Sequence, residues 1–78
     1  MKVIFSSHAL LMIRQRGLDK TKILETIHNS DFVIPAHNFR EARFRLYRKN
    51  HLKVVIKLER DQLVVITSHW VAGAIDRC

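Results

Sequence analysis

Arg43, Arg45 and Tyr47 alternate along the segment REARFRLY, residues 40–47. A guanidinium is a planar fork of donors that can grip a phosphate with two hydrogen bonds, and a phenol can donate a proton or stack on a base. Histidines stand at positions 8, 28, 37, 51 and 69, and imidazole is the side chain that exchanges protons near neutral pH. These are the groups needed to hold an anion and move protons around it without a metal. The histidines lack a short ligand spacing and the acids fall at expected caps and turns, so neither a metal site nor an organic cofactor is expected, and there is no glycine-rich phosphate loop.

The charge balance agrees with an anionic partner. Fourteen Lys and Arg against seven Asp and Glu leave a formal +7, which suits nucleic acid, an anionic membrane or an acidic protein. The plain alternative is a basic surface that only confers solubility. The single Cys78 has no intrachain partner, which excludes a disulfide framework and makes a reducing cytoplasm the default. The opening MKVIFSSHALLMI carries an apolar run, but Ser6, Ser7 and His8 interrupt it. A strand entering a helix is expected there, with no stretch long enough to span a bilayer and no membrane partner.

At 78 residues, with few glycines and prolines, the chain reads as one domain over residues 1–78. Val3 to Phe5 suggest a short strand, after which Ser6 or Ser7 caps a helix from His8 to Arg16 and Gly17 ends it. Ala9, Leu10, Leu11, Met12 and Ile13 give that helix a wide apolar arc, so little of it should face water. Asp19 caps a second helix with a stripe of Ile23, Leu24 and Ile27, ending near Asn29. From Phe32 onward the apolar period is two. DFVIPA reads as a short strand broken at Pro35, followed by antiparallel strands near 39–48, 51–59 and 62–69. The expected fold is α+β, two N-terminal helices on one face of a four- to five-stranded antiparallel sheet.

Strand parity then assigns faces. If Leu52, Val54, Ile56 and Leu58 share the core with Phe44 and Leu46, a three-residue loop 48–50 must pair Tyr47 with His51 and Phe44 with Val54, and Asn50 takes the left-handed position. On that register Arg43, Arg45, Tyr47, His51, Lys53 and Lys57 share the face away from the core. The turn at Glu59–Arg60–Asp61 can have two or three residues. A three-residue loop, 60–62, puts Thr67 and His69 on the basic face and is preferred, because a coreward His69 would need a hydrogen-bond partner.

Two stretches, SSHALLMIRQRGLDKTKILETIHNSD and RLYRKNHLKVVIKLERDQLVVITSHW, resemble a small uncharacterised-domain family with the pattern H-A-x-x-R-M-x-x-R-G-I, an R-x-Y strand, L-x-V-V and V-V-T-x-Y. His8-Ala9, Arg16-Gly17-Leu18, Arg45 with Tyr47, and Val64 to Thr67 carry the match. Met12 replaces the family's arginine, and the last aromatic falls at His69 or Trp70. That family is usually placed with the RelE/ParE-like toxins, in the wider fold that includes barnase, EndoU and colicin nucleases. The resemblance implies a toxin of a toxin–antitoxin pair: a metal-independent endoribonuclease that acts on mRNA, free or on the ribosome, and is held by an acidic antitoxin protein. A non-catalytic nucleic-acid- or protein-binding module on the same fold, such as a ParE-type gyrase inhibitor or an inactive relic, is the alternative.

Metal-free RNA cleavage needs a proton acceptor, cations for the phosphorane and a proton donor. The candidate catalytic residues are His8, Arg43, Arg45, Tyr47 and His69, with Arg16, His51, Lys53, Lys57, Thr67 and Trp70 as RNA contacts. His8, in the first turn of its helix, would be kept neutral by the helix dipole, and His51 and His69 form an alternative acid and base. Each residue also has a plain reading: His8 seats its helix, the arginines form a solvated strand face that blunts an edge, Tyr47 packs across its neighbours, and Trp70 closes the core.

Overall fold

The computed structural model describes residues 2–72; Cys78 lies outside them. The elements run β1 (Lys2–Phe5), α1 (Ser7–Arg16), α2 (Lys20–His28), β2 (Phe32–Pro35), β3 (Arg40–Tyr47), β4 (Asn50–Glu59) and β5 (Gln62–Ala72). They form an α+β fold with one five-stranded sheet in the order β1-β5-β4-β3-β2. The sheet is mixed where a purely antiparallel one was expected, because β1 runs parallel to β5 and pairs Phe5 with Val65. A chain that leaves β1 through two helices returns to its neighbouring strand only after the whole meander, and this crossover permits a parallel edge.

Local signals set the helix ends. Ser6 caps α1: its Oγ accepts from the Ala9 N–H at 3.0 Å and donates to the Ile66 carbonyl at 3.2 Å. Gly17, at φ 62°, ends the helix in the left-handed region, and the Leu18 N–H closes on the Ile13 carbonyl. Asp19 Oδ1 accepts from the Thr21 N–H at 2.8 Å and starts α2. The core joins Ala9, Leu18, Ile23 and Ile27 to Leu52, Val54, Ile56, Leu63 and Val65. Each fully buried aliphatic in it contributes about 1.5–3 kcal/mol. α1 is less buried than its composition predicts: Ala9 is enclosed, while Leu10 and Leu11 are exposed.

The main departure from expectation is the register of β3 on β4. Tyr47 pairs with Asn50, Arg45 with Leu52, Arg43 with Val54 and Phe44 with Lys53. The turn is the two residues Arg48 and Lys49, and Arg48, not Asn50, takes the positive φ, 59°, the pattern of a type II′ turn. One residue of slip exchanges the faces of a strand. Arg43, Arg45 and Tyr47 therefore lie on the helix-covered side with Leu52, Val54 and Ile56, and Ala42, Phe44 and Leu46 take the other side. The premise that Phe44 must join the main core fails because β2 supplies a second cover: the Phe32 ring stacks on Phe44 at 4.6 Å, leaving Phe44 5% exposed without a helix above it.

The β4–β5 connection reaches the expected faces by another route. Glu59 pairs with Gln62 across a two-residue turn, which alone would send Thr67 and His69 coreward. A bulge then inserts Ile66, so that Ile56 faces Val65 while Val55 faces Thr67. Beyond it Thr67 and His69 share the face of Val55 and Lys53. The bulge sits where β1 ends: the Ser6 N–H donates to the Val65 carbonyl at 3.0 Å and the Ser6 hydroxyl to Ile66.

Candidate functional site

Both helices pack against the sheet side that carries Leu52, Val54, Ile56, Leu63 and Val65. Among the described residues no helix covers the opposite side. There the odd positions of β4 present His51, Lys53, Val55 and Lys57, all half-buried, and β5 adds Thr67 opposite Val55 and His69 opposite Lys53. His51, Lys53, Lys57, Thr67 and His69 are thus brought together, as expected.

Position 51 pairs with Val71, so His51 and His69 are diagonal neighbours across the strand pair, roughly 7–8 Å apart at Cα. Lys53 lies between them, next but one to His51 on β4 and directly across from His69. The His69 imidazole is pushed below its ordinary pKa, first by burial and then by the positive charges of Lys53 and Arg16. A neutral ring at neutral pH is the form that accepts a proton. The Lys53 ammonium also sits 5.9 Å from the Phe44 ring centroid, and the His51 ring meets Phe32 edge-on at 5.7 Å. The aromatic pair thus floors one side of this row of cations.

The other candidates lie elsewhere. Arg43 donates through Nη1 to the Ile27 carbonyl at 2.7 Å and through Nε to Glu41 Oε1 at 2.8 Å. Arg45 donates to the Asn29 carbonyl at 2.7 Å. Both guanidinium groups therefore satisfy carbonyls at the C-terminal end of α2, where a helix leaves four acceptors unpaired and favours a cation. Their expected place on the basic face is corrected: they cap a helix on the covered side. Tyr47 is also on that side, and its hydroxyl donates to Glu25 Oε1 at 2.8 Å. Burial and the Glu25 carboxylate raise its pKa, and the hydroxyl proton is directed at Glu25. Tyr47 packs across its neighbours Lys22 and Trp70.

His8 is exposed in the first turn of α1, beside the Ser6 anchor on Val65 and Ile66. The neighbours of His69 are Lys53 and Trp70. Arg16 donates to the Ser68 carbonyl at 2.9 Å, on the stretch of β5 that extends past β1, and its charge is felt by His69. Trp70 is on the helix side with Tyr47, the two rings edge to face at 5.9 Å. The expected catalytic set is therefore divided among three places. Phe32 and Phe44 are the contributors that parity reasoning missed, and the signal for them was the apolar β2 segment, which needed a partner. Among the described residues no group of three or more His, Cys, Asp or Glu is placed to hold a metal ion.

The sequence matches the Domain of unknown function (DUF4258) over residues 5–68. The chain belongs to the DUF4258 family. The matched span of this DUF4258 domain runs from Phe5, the last residue of β1, through the bulge and includes His8, Arg43, Arg45, Tyr47, His51, Lys53, Lys57 and Thr67; His69 and Trp70 follow it directly. No curated protein and no solved structure matches the chain. Among the described residues no helix is long and apolar enough to cross a membrane.

Proposed function

We propose that this DUF4258 domain is a metal-independent endoribonuclease of the RelE/ParE type, the toxin of a cytoplasmic toxin–antitoxin pair, and that its reaction takes place on the uncovered sheet face. The observation that carries the reading is the placement of His51 and His69 on either side of Lys53. The neutral His69 ring takes the proton of an RNA 2′-hydroxyl as that oxygen attacks the adjacent phosphorus. The Lys53 ammonium neutralises charge on the non-bridging oxygens of the phosphorane. His51 gives a proton to the departing 5′-oxygen, so the products are a 2′,3′-cyclic phosphate and a 5′-hydroxyl. Lys57 and Thr67 extend the contact along the strand, and an acidic antitoxin would cover the same cations.

A second reading, non-catalytic nucleic-acid or protein binding by the same face, draws support from the engagement of Arg43, Arg45 and Tyr47 in the fold. Those side chains are spent on α2 and do not reach a phosphate on the open face. Incubating the purified domain with RNA in EDTA separates the two readings. Cyclic-phosphate ends support cleavage. RNA left intact with and without ribosomes, together with binding that weakens steeply with salt, would leave only the second reading.

A further inference from the structure

We infer that the helix-covered side carries a separate site for one unpaired nucleotide, a cleft at the end of the β3–β4 hairpin. The cleft has a volume of about 710 Å³ and is lined by Lys22, Tyr47, Arg48, Lys49, Asn50 and Trp70. This size suits a small ligand. Its aromatic walls are the perpendicular pair Tyr47 and Trp70, and Trp70 is 39% exposed. The Lys22 ammonium lies 5.4 Å from the Tyr47 ring centroid and 5.8 Å from that of Trp70. Arg48 and Lys49 add two cations at the rim.

Among the described residues no ion pair within 4 Å offsets the charge in this cleft. The one ion pair within 4 Å among the described residues is Arg43 with Glu41, so Lys22, Arg48 and Lys49 have no carboxylate partner there. The nearby acid, Glu25, accepts from the Tyr47 hydroxyl and makes no ion pair with Lys22 within 4 Å. An exposed aromatic face beside three cations matches a planar base joined to a phosphate: the ring stacks on the base and the cations meet the phosphate. A duplex cannot use it, because its bases are stacked inside.

A second observation comes from the backbone. Arg48 sits at φ 59°, at the turn position that glycine favours, where any side chain carries a cost. An arginine held there at the expense of the turn, with its guanidinium beside the cleft, fits a role in binding better than a role in folding.

The chain has one tryptophan, so Trp70 emission reports the site directly. Single-stranded oligonucleotide of about 8 nucleotides and a free nucleoside monophosphate should both quench it. Duplex and inorganic phosphate at the same concentrations should not. By anisotropy of a labelled strand, Lys22→Ala and Trp70→Leu should each weaken binding by roughly 5- to 50-fold. Arg48→Gly gives the control for folding, since it should raise the melting temperature and still weaken binding about 3-fold or more. Lys53→Ala should leave quenching by the mononucleotide unchanged, so the cleft and the open-face reaction fail or stand separately. Equal quenching by inorganic phosphate, or full affinity in both Lys22→Ala and Arg48→Gly, would overturn the proposal.

Discussion

The Arg43 guanidinium donates to the Ile27 carbonyl at 2.7 Å and so ties the third strand to the C-terminal end of the second helix. This bond, with that from Arg45 to Asn29, explains why two arginines face a hydrophobic core. Hydrogen bonds from a charged donor contribute about 1.5–3 kcal/mol when shielded and less when exposed. Their placement favours the observed register over its one-residue slip.

Arg43→Ala should therefore destabilise the fold by about 2 kcal/mol, since it strips α2 of a cap and leaves Glu41 without its cation. Arg45→Ala should cost about 1 kcal/mol or less, because its bond is more exposed. Urea midpoints measure both. Losses smaller than about 0.3 kcal/mol in each would show that the caps do not select the register.

Ser68 is fully buried, and its Oγ has no hydrogen-bond partner. Ser68→Ala removes this unpaired hydroxyl and keeps the carbonyl that accepts from Arg16, so a gain of about 1 kcal/mol is expected. A loss of stability, read by thermal melting, would mean that the hydroxyl is satisfied in solution.

Asn38 and Phe39 both stand at φ 60° between β2 and β3, the pattern of a type I′ turn, which favours Asn-Gly. Phe39 is 79% exposed, so it gains little from packing and carries the left-handed cost. Phe39→Gly should stabilise by about 1 kcal/mol, or roughly 4–8 °C in melting temperature. An unchanged or lower melting temperature would contradict the turn geometry.

The depressed His69 pKa fixes a sign for pH dependence. The unfolded chain takes up its proton at the ordinary histidine value of about 6.5, the folded one only at lower pH. Stability should thus rise with pH between those two values and carry the full penalty below the lower one. The acid limb of the cleavage rate should fall below the ordinary histidine range for the same reason. His69→Gln should flatten its part of the stability slope below the ordinary histidine value of about 6.5. An unchanged slope would place the titration elsewhere.

Much of the fold was legible because its signals are local. Ser6, Gly17 and Asp19 set the helix ends, and the period of two marked the strands. Faces were harder, since they depend on turn length and on what lies across the sheet. The turn 48–50 offered a left-handed Asn50 at low cost, but capping α2 and stacking Phe44 under Phe32 favour the shorter turn, and no window of sequence contains both partners. His69 was placed on the correct face through a three-residue loop that does not exist. A bulge at Ile66 restores the parity, and its anchor, Ser6, is 60 residues away in the chain. Of the expected site, the members on β4 and β5 stay together, whereas those on β3 moved with their register.

On the proposed mechanism the reaction belongs to His69 and Lys53 on the open face and not to the arginines of β3. Cleavage of one RNA in EDTA by His69→Gln and by Arg45→Ala, each compared with the unaltered domain, tests it most directly. His69→Gln should lose about 100-fold or more, and folded Arg45→Ala should keep its rate within about 3-fold. Full activity in His69→Gln with loss in Arg45→Ala would contradict it.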